Sequence, residues 1–274
     1  MGLFYGPAEK PGCMVKRMKV LYEAVTTFGP NRRKNQDNYY LNGLIKETDN
    51  EQRRDVSVAQ YQMYALCDGM GGETSGDKAA ELAVLVLRED FSDCKGIDLK
   101  NYIKKANKRI CEYQQTYGVR MGTTFAGVYI ENKQLTAINL GDSRIYRIDE
   151  DGMRQISKDH NEYQTMIDAG VEFTEKAAKR AKSRLTQFLG MEDEEIDLEP
   201  QIYVNSTVSV GESYLICSDG LSDTLSDAEI EKIMLAGEPV EDNICEILIK
   251  QAEQKNAKDN MTVIRLYILE DTEQ

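Results

Sequence analysis

The sequence has no tryptophan, one histidine and five prolines in 274 residues. Proline is rarer than its average of about 5%, so no proline-rich linker divides the chain. A single histidine cannot build a histidine-rich metal site. Basic residues are also few, since 34 Lys and Arg stand against 47 Asp and Glu, for a net charge of −13. That balance argues against a protein that binds nucleic acid or an anionic membrane through charge.

Long hydrophobic runs are missing as well. The longest plain apolar run covers six residues, from Leu82 to Leu87, whereas a membrane-spanning helix needs about 20. The N-terminal segment contains the charged residues Lys10, Lys16 and Arg17, and it is not followed by the apolar core of a signal peptide. We therefore expect a cytoplasmic protein.

The cysteines are scattered and form no Cys-x-x-Cys pair; they are Cys13, Cys67, Cys94, Cys111, Cys217 and Cys245. With one histidine besides, this spacing does not favour a structural zinc site. Cys67 and Cys217 lie in apolar runs and are predicted to be small buried hydrophobic residues.

The order of predicted elements favours an α+β fold. Strands are expected at 20–27, 38–45, 61–67, 123–130, 134–139, 143–148, 153–156, 202–204, 214–217 and 262–269, and helices at 77–91, 99–117, 161–184, 228–235 and 240–255. The polar stretch 46–60 is expected to be a solvated connection. Because strands and helices do not alternate regularly, we predict one domain with two antiparallel sheets inside and helices outside.

Aspartates followed by Gly or Asn recur after apolar runs, at Asp68-Gly69, Asp219-Gly220 and Asp259-Asn260. A buried strand delivers each carboxylate to a sheet edge, and glycine lets the backbone turn sharply there. Several carboxylates together cannot remain ionised without a cation, and Mg²⁺ or Mn²⁺ suits oxygen ligands. The alternative is that each pair is an ordinary β-turn, as we expect for Asp151-Gly152.

Eight short segments appear in a characteristic order over residues 22–269. They are Arg32-Arg33-Lys34-Asn35-Gln36-Asp37, Asp68-Gly69-Met70-Gly71-Gly72, Gly122-Thr123-Thr124, Gly141-Asp142-Ser143-Arg144, Ser157-Lys158-Asp159-His160, Arg184-Leu185-Thr186-Gln187-Phe188-Leu189-Gly190, Ser218-Asp219-Gly220 and Asp259-Asn260. This pattern resembles the metal-dependent protein Ser/Thr phosphatase family (type 2C, PPM), in its bacterial-like branch.

The resemblance implies a fold and a set of metal ligands. The fold is a four-layer α-β-β-α sandwich with two central antiparallel sheets, formed by residues 20–274 after an N-terminal extension of residues 1–19. Two Mn²⁺ or Mg²⁺ ions are expected in a cleft at one end. In the family pattern Asp68 bridges both ions, the Gly69 carbonyl binds one, Asp219 and Asp259 complete the set, and Asp37 holds the second ion, partly through water.

The resemblance also implies the chemistry. A water activated by the two ions attacks phosphorus of phosphoserine or phosphothreonine, so no side-chain nucleophile is required. Arg32 is expected to bind the phosphate. Asp142 is expected at a third metal, the alternative being a hairpin turn in which Arg144 pairs with a neighbouring carboxylate.

Two places need separate interpretation. Met70 stands where animal members carry a histidine, often assigned as the general acid; His160 could take that part or be a hydrogen-bonded turn residue. The segment 161–190 resembles the family's flap, and its end is basic. Either that end is a solvated face or it docks phosphoproteins near the cleft.

We expect phosphorylated proteins as substrates, a Ser/Thr kinase as the opposing enzyme, no nucleic-acid or membrane partner, and a monomer. One alternative is a non-catalytic regulatory member of the same fold, whose expected signature is the loss of a metal aspartate; here Asp37, Asp68, Asp219 and Asp259 are all present. Another is a two-metal phosphodiesterase or nuclease, which the net charge of −13 disfavours.

Overall fold

The structure is a computed structural model that describes residues 17–71, 75–92, 95–192 and 197–270. Most of the expected extension 1–19, Gly72, Cys13 and Cys94 lie outside the described residues. The strands are β1 (Met18–Thr27), β2 (Asn38–Leu41), β3 (Leu44–Ile45), β4 (Glu51–Ala59), β5 (Tyr61–Cys67), β6 (Gly69–Met70), β7 (Gly122–Thr123), β8 (Phe125–Glu131), β9 (Gln134–Leu140), β10 (Arg144–Asp149), β11 (Gly152–Gln155), β12 (Gln201–Asn205), β13 (Ser213–Cys217) and β14 (Met261–Leu269). The helices are α1 (Gly76–Asp90), α2 (Leu99–Tyr117), α3 (Glu162–Asp168), α4 (Glu175–Lys182), α5 (Asp219–Ser222), α6 (Asp227–Ala236) and α7 (Ile244–Gln254).

Two six-stranded sheets form the centre. Sheet A has the strand order β11-β10-β13-β14-β1-β4, and sheet B has the order β12-β9-β8-β5-β2-β3. The neighbouring strands pair antiparallel, and the longest ladders join β1 to β14 and to β4. Short strands β6 and β7 form a separate pair beside the sheets.

Three hydrophobic cores define four layers. One lies between sheet B and helices α1 and α2, the second between the two sheets, and the third between sheet A and helices α5 to α7. Successive side chains of β5 alternate between cores: Ala65 and Cys67 face the helices, whereas Tyr64 and Leu66 face the other sheet. Strands buried on both faces need continuous apolar runs, which explains the sequence of β5. The predicted α-β-β-α sandwich is confirmed.

Helix α2 shows how closely a periodic pattern can define an element, since it spans the predicted residues 99–117. Ile103, Ala106 and Ile110 are buried along one face. The Asp98 side chain accepts a hydrogen bond from the Asn101 N–H and caps the first turn, and Gly118 ends the helix at φ 64°.

The prediction for residues 46–60 was wrong. Most of this stretch is β4, which pairs with β1 from Met18↔Ala59 to Thr26↔Glu51 and forms an edge of sheet A. Charged residues on an edge strand discourage pairing with other chains, and here they make the strand resemble a loop in composition. Val56 and Val58 were the remaining strand signal.

Four other predicted elements also differ from the structure. The strand expected over 123–130 is divided at Thr124 into β7 and β8, which pair in different sheets. The stretch 161–184 is two helices, α3 and α4, separated near Gly170 at φ 65°. The helix expected from residue 240 begins at Ile244, where the Asn243 side chain caps it. The strand expected over 38–45 is a hairpin, β2 to β3, because Asn42 and Gly43 both have positive φ, 47° and 112°. Among the described residues, no helix is long and apolar enough to cross a bilayer.

Candidate functional site

Five aspartates reach one end of the sandwich from different strands. Asp37 precedes β2, Asp68 follows β5, Asp142 lies between β9 and β10, Asp219 follows β13, and Asp259 precedes β14. The carboxylates of the other four all act to raise the pKa of Asp68. The structure therefore brings together the five carboxylates that the sequence analysis singled out.

Asp37 is buried at 1% exposure and held by hydroxyl groups. Its Oδ2 accepts hydrogen bonds from Ser218 Oγ at 3.0 Å and Thr262 Oγ1 at 2.7 Å. Its Oδ1 is buried and has no hydrogen-bond partner among the described residues. Burial raises the pKa of Asp37 to about 6, against the opposing effects of these hydroxyls and of the Lys46 cation, while Asp259 raises it further.

The Asp68-Gly69 turn is fixed by close backbone packing. Thr124 Oγ1 accepts from the Asp68 N–H at 3.0 Å, and the Asp68 carbonyl accepts from Thr123 Oγ1 at 2.9 Å. A Cβ on Gly69 would lie 2.2 Å from the Gly76 carbonyl oxygen and 2.6 Å from that of Gln36. Position 69 therefore requires glycine, because backbone atoms occupy the space of any side chain.

Asp219 and Asp259 are held on the sheet A side of the cleft. Asp219 is the first residue of α5, separated by one residue from the end of β13, and a Cβ on Gly220 would lie 2.0 Å from the Asn260 carbonyl oxygen. Asn260 Nδ2 donates to the carbonyls of Phe28 and Lys34 at 3.1 and 2.9 Å. Asn260 therefore fixes the loop that carries Arg32 beside Asp259.

Burial and mutual repulsion act on these carboxylates together. Burial raises the pKa of Asp219 well above its ordinary value, and repulsion from Asp142 and Asp259 adds to this. Burial likewise raises the pKa of Asp68, with Asp37 the next contribution. In the described part of the chain, no three His, Cys, Asp or Glu side chains form a compact metal-binding group. The carboxylates share one electrostatic environment without converging on a point.

The donor set fits hard divalent cations. Asp37 Oδ1 is a buried carboxylate oxygen without a protein donor, and leaving a buried polar atom unpaired is unfavourable. The other predicted ligands are also oxygen donors, which Mg²⁺ and Mn²⁺ prefer. A cation would relieve the repulsion that raises the pKa values of Asp68 and Asp219.

Arg32 reaches the same cleft. Its Nη2 donates to Asp259 Oδ2 at 2.6 Å, and about half of its side chain remains exposed, 50%. Pairing with Asp259 raises the pKa of Arg32, and Asp219 and Asp68 contribute as well. The neighbouring Arg33 is exposed and has no ion pair among the described residues. Arg32 is thus the member of this arginine pair that faces the carboxylates.

His160 belongs to the turn that carries Asp142. Its ring Nδ1 accepts from the Gly141 backbone N–H at 3.1 Å, and the His160 backbone N–H donates to the Gly141 carbonyl at 2.9 Å. Burial lowers the pKa of His160, so the neutral ring serves as an acceptor. This is the hydrogen-bonded turn residue that the sequence analysis weighed against a general acid.

Asp142 itself is in an acidic environment. Burial raises its pKa to about 7, and the Asp159 carboxylate contributes next. Arg144, which the sequence analysis expected to pair with a neighbouring carboxylate, contacts Asp159, with Nη2 to Oδ2 at 2.8 Å. Arg144 therefore pairs mainly with Asp159, and it lowers the pKa of Asp142 only weakly.

Cys67 lies directly before Asp68 and is fully buried, as is Cys217, which confirms the prediction for both. Burial raises the pKa of the Cys67 thiol far above its ordinary value. A buried neutral thiol is a poor nucleophile, so proximity to the cleft does not make Cys67 reactive.

A cavity of about 470 Å³ opens beside the carboxylates. Its lining includes Asp219 and Asp259, together with Lys179 of helix α4. Of the basic residues at the end of the flap, Lys182 places its Nζ 5.1 Å from the Tyr163 ring centre, and Arg184 pairs with Glu162 at 3.2 Å. Lys179 is therefore the flap lysine that lines this cavity, whereas Lys182 lines a smaller one of about 60 Å³ beside Asp142 and Asp219.

Several residues that shape the site had no assigned role in the sequence analysis. Ser218 and Thr262 hold Asp37, Asn260 holds the arginine loop, and Thr124 holds Asp68. Ser218, Thr124 and Asn260 stand inside the recognised motifs, so their position in those motifs was the available signal. Lys255 and Lys258 line the cavity, and the sequence analysis did not consider them.

Comparison with known proteins identifies relatives over most of the chain. A family model described as protein phosphatase 2C matches residues 49–262. The protein phosphatase PhpP of Streptococcus pneumoniae is 31% identical over 249 residues, which cover 87% of this chain and 94% of that protein. The serine/threonine phosphatase stp of Listeria innocua is 29% identical over 73% of this chain and 81% of its own length.

Solved structures agree with the sandwich. The serine/threonine phosphatase of S. agalactiae superposes with a TM-score of 0.76 at 28% identity, covering 92% of this chain and 100% of that one. The catalytic domain of the serine/threonine protein phosphatase PstP, solved in complex with two manganese ions, gives a TM-score of 0.72 at 27% identity with the same coverage.

Proposed function

This chain belongs to the protein phosphatase 2C family and is a metal-dependent serine/threonine protein phosphatase, and on that premise we propose that the acidic cleft is its active site. The enzyme uses Mn²⁺ or Mg²⁺. In the proposed site Asp68, the Gly69 carbonyl, Asp219 and Asp259 would hold the ions, and Asp37 would hold the second one, partly through water. The observation that carries the assignment is the buried Asp37 Oδ1 without a protein donor, in a group of mutually repelling carboxylates.

Bound divalent ions would supply Lewis-acid activation of a water and charge compensation at the phosphoryl oxygens. The chain's own residues arrange the reaction. Arg32, half exposed beside Asp259, offers a guanidinium fork to the phosphoryl oxygens. Ser218 and Thr262 orient Asp37. Cys67 and His160 take no covalent part, since the first is buried and the second is fixed in its turn.

Four further assignments belong to the same proposal. Asp142 contributes to a third, weaker ion, supported by its raised pKa of about 7. Residues 20–274 form one phosphatase domain after an N-terminal extension, and 161–190 is its flap, whose basic end docks phosphoproteins. The protein acts as a monomer in the cytoplasm, without nucleic-acid or membrane partners. There it opposes a Ser/Thr kinase by removing the phosphate that the kinase adds.

The test is hydrolysis of p-nitrophenyl phosphate with Mn²⁺, with Mg²⁺ and with EDTA. The wild type should turn over with metal and stop in EDTA. Asp219→Asn should lose at least about 100-fold in kcat, because removal even of a residue that supports a metal ligand costs 10–100-fold.

Asp151→Asn is the matched control, because Asp151 belongs to an exposed Asp-Gly turn between β10 and β11. It should retain wild-type turnover. Turnover that resists EDTA, or that survives Asp219→Asn, would contradict the assignment of the site. A folded wild type inactive with both metals would favour the non-catalytic alternative.

A further inference from the structure

The cavity beside the carboxylates carries positive charge from two separate elements. Besides Asp219 and Asp259, its lining includes Lys179 from helix α4 and Lys255 and Lys258 from the segment that joins α7 to β14. Lys179 is more than 70 residues away from the other two lysines in the sequence, and the fold brings all three to the lining of one cavity. Lys258 directly precedes Asp259, which ties it to the edge of the proposed metal site.

Two of these lysines have no carboxylate partner in the part of the chain that the structure describes. Lys255 Nζ pairs with Glu229 Oε1 at 2.5 Å, whereas Lys179 and Lys258 are exposed and have no ion pair within the described ranges. Elsewhere in this part of the molecule, Lys158 is paired with Asp168 at 2.6 Å. In a chain with a net charge of −13, unpaired lysines at the mouth of a cleft are free to meet an anion from outside.

The charge balance of the cavity favours an anionic occupant. Apart from the two proposed metal ligands, the charged residues of the lining are Lys179, Lys258, Asp223 and Lys255, whose charge Glu229 already meets. Two lysines without an ion pair in the described residues therefore stand against one carboxylate. Asp223 is exposed and also lines the neighbouring cavity formed by the flap. A substrate anchored by its phosphoryl group has its next residues within about 3.5 Å per residue of chain, close enough to enter this cavity.

We propose that this cavity is a specificity subsite in which Lys179 and Lys258 bind acidic side chains adjacent to the phosphorylated residue of the substrate. The proposal rests on the proposed function, since it takes the phosphoryl group to lie at Asp219 and Asp259. It extends that function by naming the chemistry of the preferred substrate: a phosphopeptide whose neighbouring residues are Asp or Glu.

The test compares two phosphothreonine peptides of equal length, one with acidic residues on both sides of the phosphothreonine and one with alanines there. The measured quantity is the ratio of kcat/KM for the acidic peptide to that for the neutral one, with Mn²⁺ and at low salt. Lys179→Glu, Lys258→Glu and the double variant are assayed. Lys104→Glu is the matched control, because Lys104 is an exposed lysine on α2, in the opposite helical layer.

The wild type should prefer the acidic peptide. Each substitution should lower the ratio by about 3-fold and the pair by about 10-fold, the range expected for exposed charge pairs. The preference should fade at about 1 M salt, where the screening length is about 3 Å. Lys104→Glu should leave the ratio at its wild-type value.

A wild-type ratio near one overturns the proposal, as does a ratio that the double variant leaves unchanged. An equal fall with Lys104→Glu would show a general effect of net charge and would also overturn it. Circular dichroism checks folding, and Lys179→Gln with Lys258→Gln replaces a variant that fails to fold. Failure of the proposed function looks different: the wild type would then hydrolyse neither peptide.

Discussion

Two buried carboxylates of this protein, Asp37 and Glu23, are 1% and 0% exposed, and burial raises the pKa of both. Their partners differ. Glu23, in the middle of β1, has Arg265 Nη1 3.4 Å from Oε2 and Arg54 Nε 3.2 Å from Oε1, and its Oε2 also accepts from the Ile244 N–H that begins α7. Asp37 receives two hydroxyl hydrogen bonds on Oδ2. Glu23 Oε1 and Asp37 Oδ1 both lack a hydrogen bond in the described residues, but only Glu23 Oε1 has a cation beside it.

The contrast separates a structural charge from a functional one. Glu23 meets cations that the protein supplies itself, and these also bind loop carbonyls: Arg265 Nη1 donates to Pro239, and Arg54 donates to Val240 and Glu241. The Glu23 group therefore attaches helix α7 to sheet A. The Asp37 carboxylate lines an open site, because hydroxyl groups orient it, the Lys46 cation acts on it only from a distance, and it has no ion pair among the described residues. A buried charge left in this way calls for a ligand of opposite charge.

The largest expected effect concerns the structural charge. Glu23→Gln should lower the free energy of unfolding by about 3 kcal/mol, because breaking a buried ion pair leaves the other charge unpaired. Chemical denaturation followed by circular dichroism measures this, and kcat of the folded variant should stay within about 2-fold of the wild type. Arg54→Gln, at the exposed end of the group, should lose under about 1 kcal/mol. Equal losses in the two variants would contradict the central role of Glu23.

The functional charge should behave in the opposite way. Asp37→Asn keeps an oxygen for Ser218 and Thr262 but removes the charge, so the metal-free protein should be no less stable than the wild type. Turnover should fall by about 100-fold, and Mn²⁺ should raise the melting temperature less than it does in the wild type. Calorimetry with and without Mn²⁺ measures the stability and the metal-induced rise in melting temperature, and steady-state kinetics measures kcat. If the metal-free variant were destabilised and its turnover were normal, Asp37 would have a structural role like that of Glu23.

The smallest expected effect separates the two adjacent arginines. Arg32→Ala should raise the inhibition constant of inorganic phosphate by about 10-fold, the size of one charge-assisted hydrogen bond at a half-exposed site. Product inhibition of the Mn²⁺ enzyme measures it. Arg33→Ala should change the constant by less than 2-fold, since Arg33 has no partner among the carboxylates in the described residues. If the two variants raised the inhibition constant equally, the loop would contribute only its positive charge and no guanidinium group placed to bind phosphate.

The predictions from sequence succeeded where a local pattern carried enough information. The period of α2 and the doubly buried run of β5 gave both elements at their observed bounds. Strand β4 was missed because it is an edge strand rich in charged residues, and it is a strand only through its pairing with β1, more than 20 residues away in the sequence. Helix α5 was missed because four residues are too few to show a period.

For the site, the sequence alone identified the acidic residues, their order and the family they resemble, because motif spacing survives without coordinates. Only the tertiary structure decided which side chains from distant segments contact one another. Ser218 and Thr262 bind one oxygen of Asp37 from positions far along the chain, and His160 closes the turn of Asp142. Lys179 and Lys258 enter one cavity with Asp219 and Asp259. These contacts depend on how the two sheets and the flap are placed in space, and no periodicity within a segment encodes that placement.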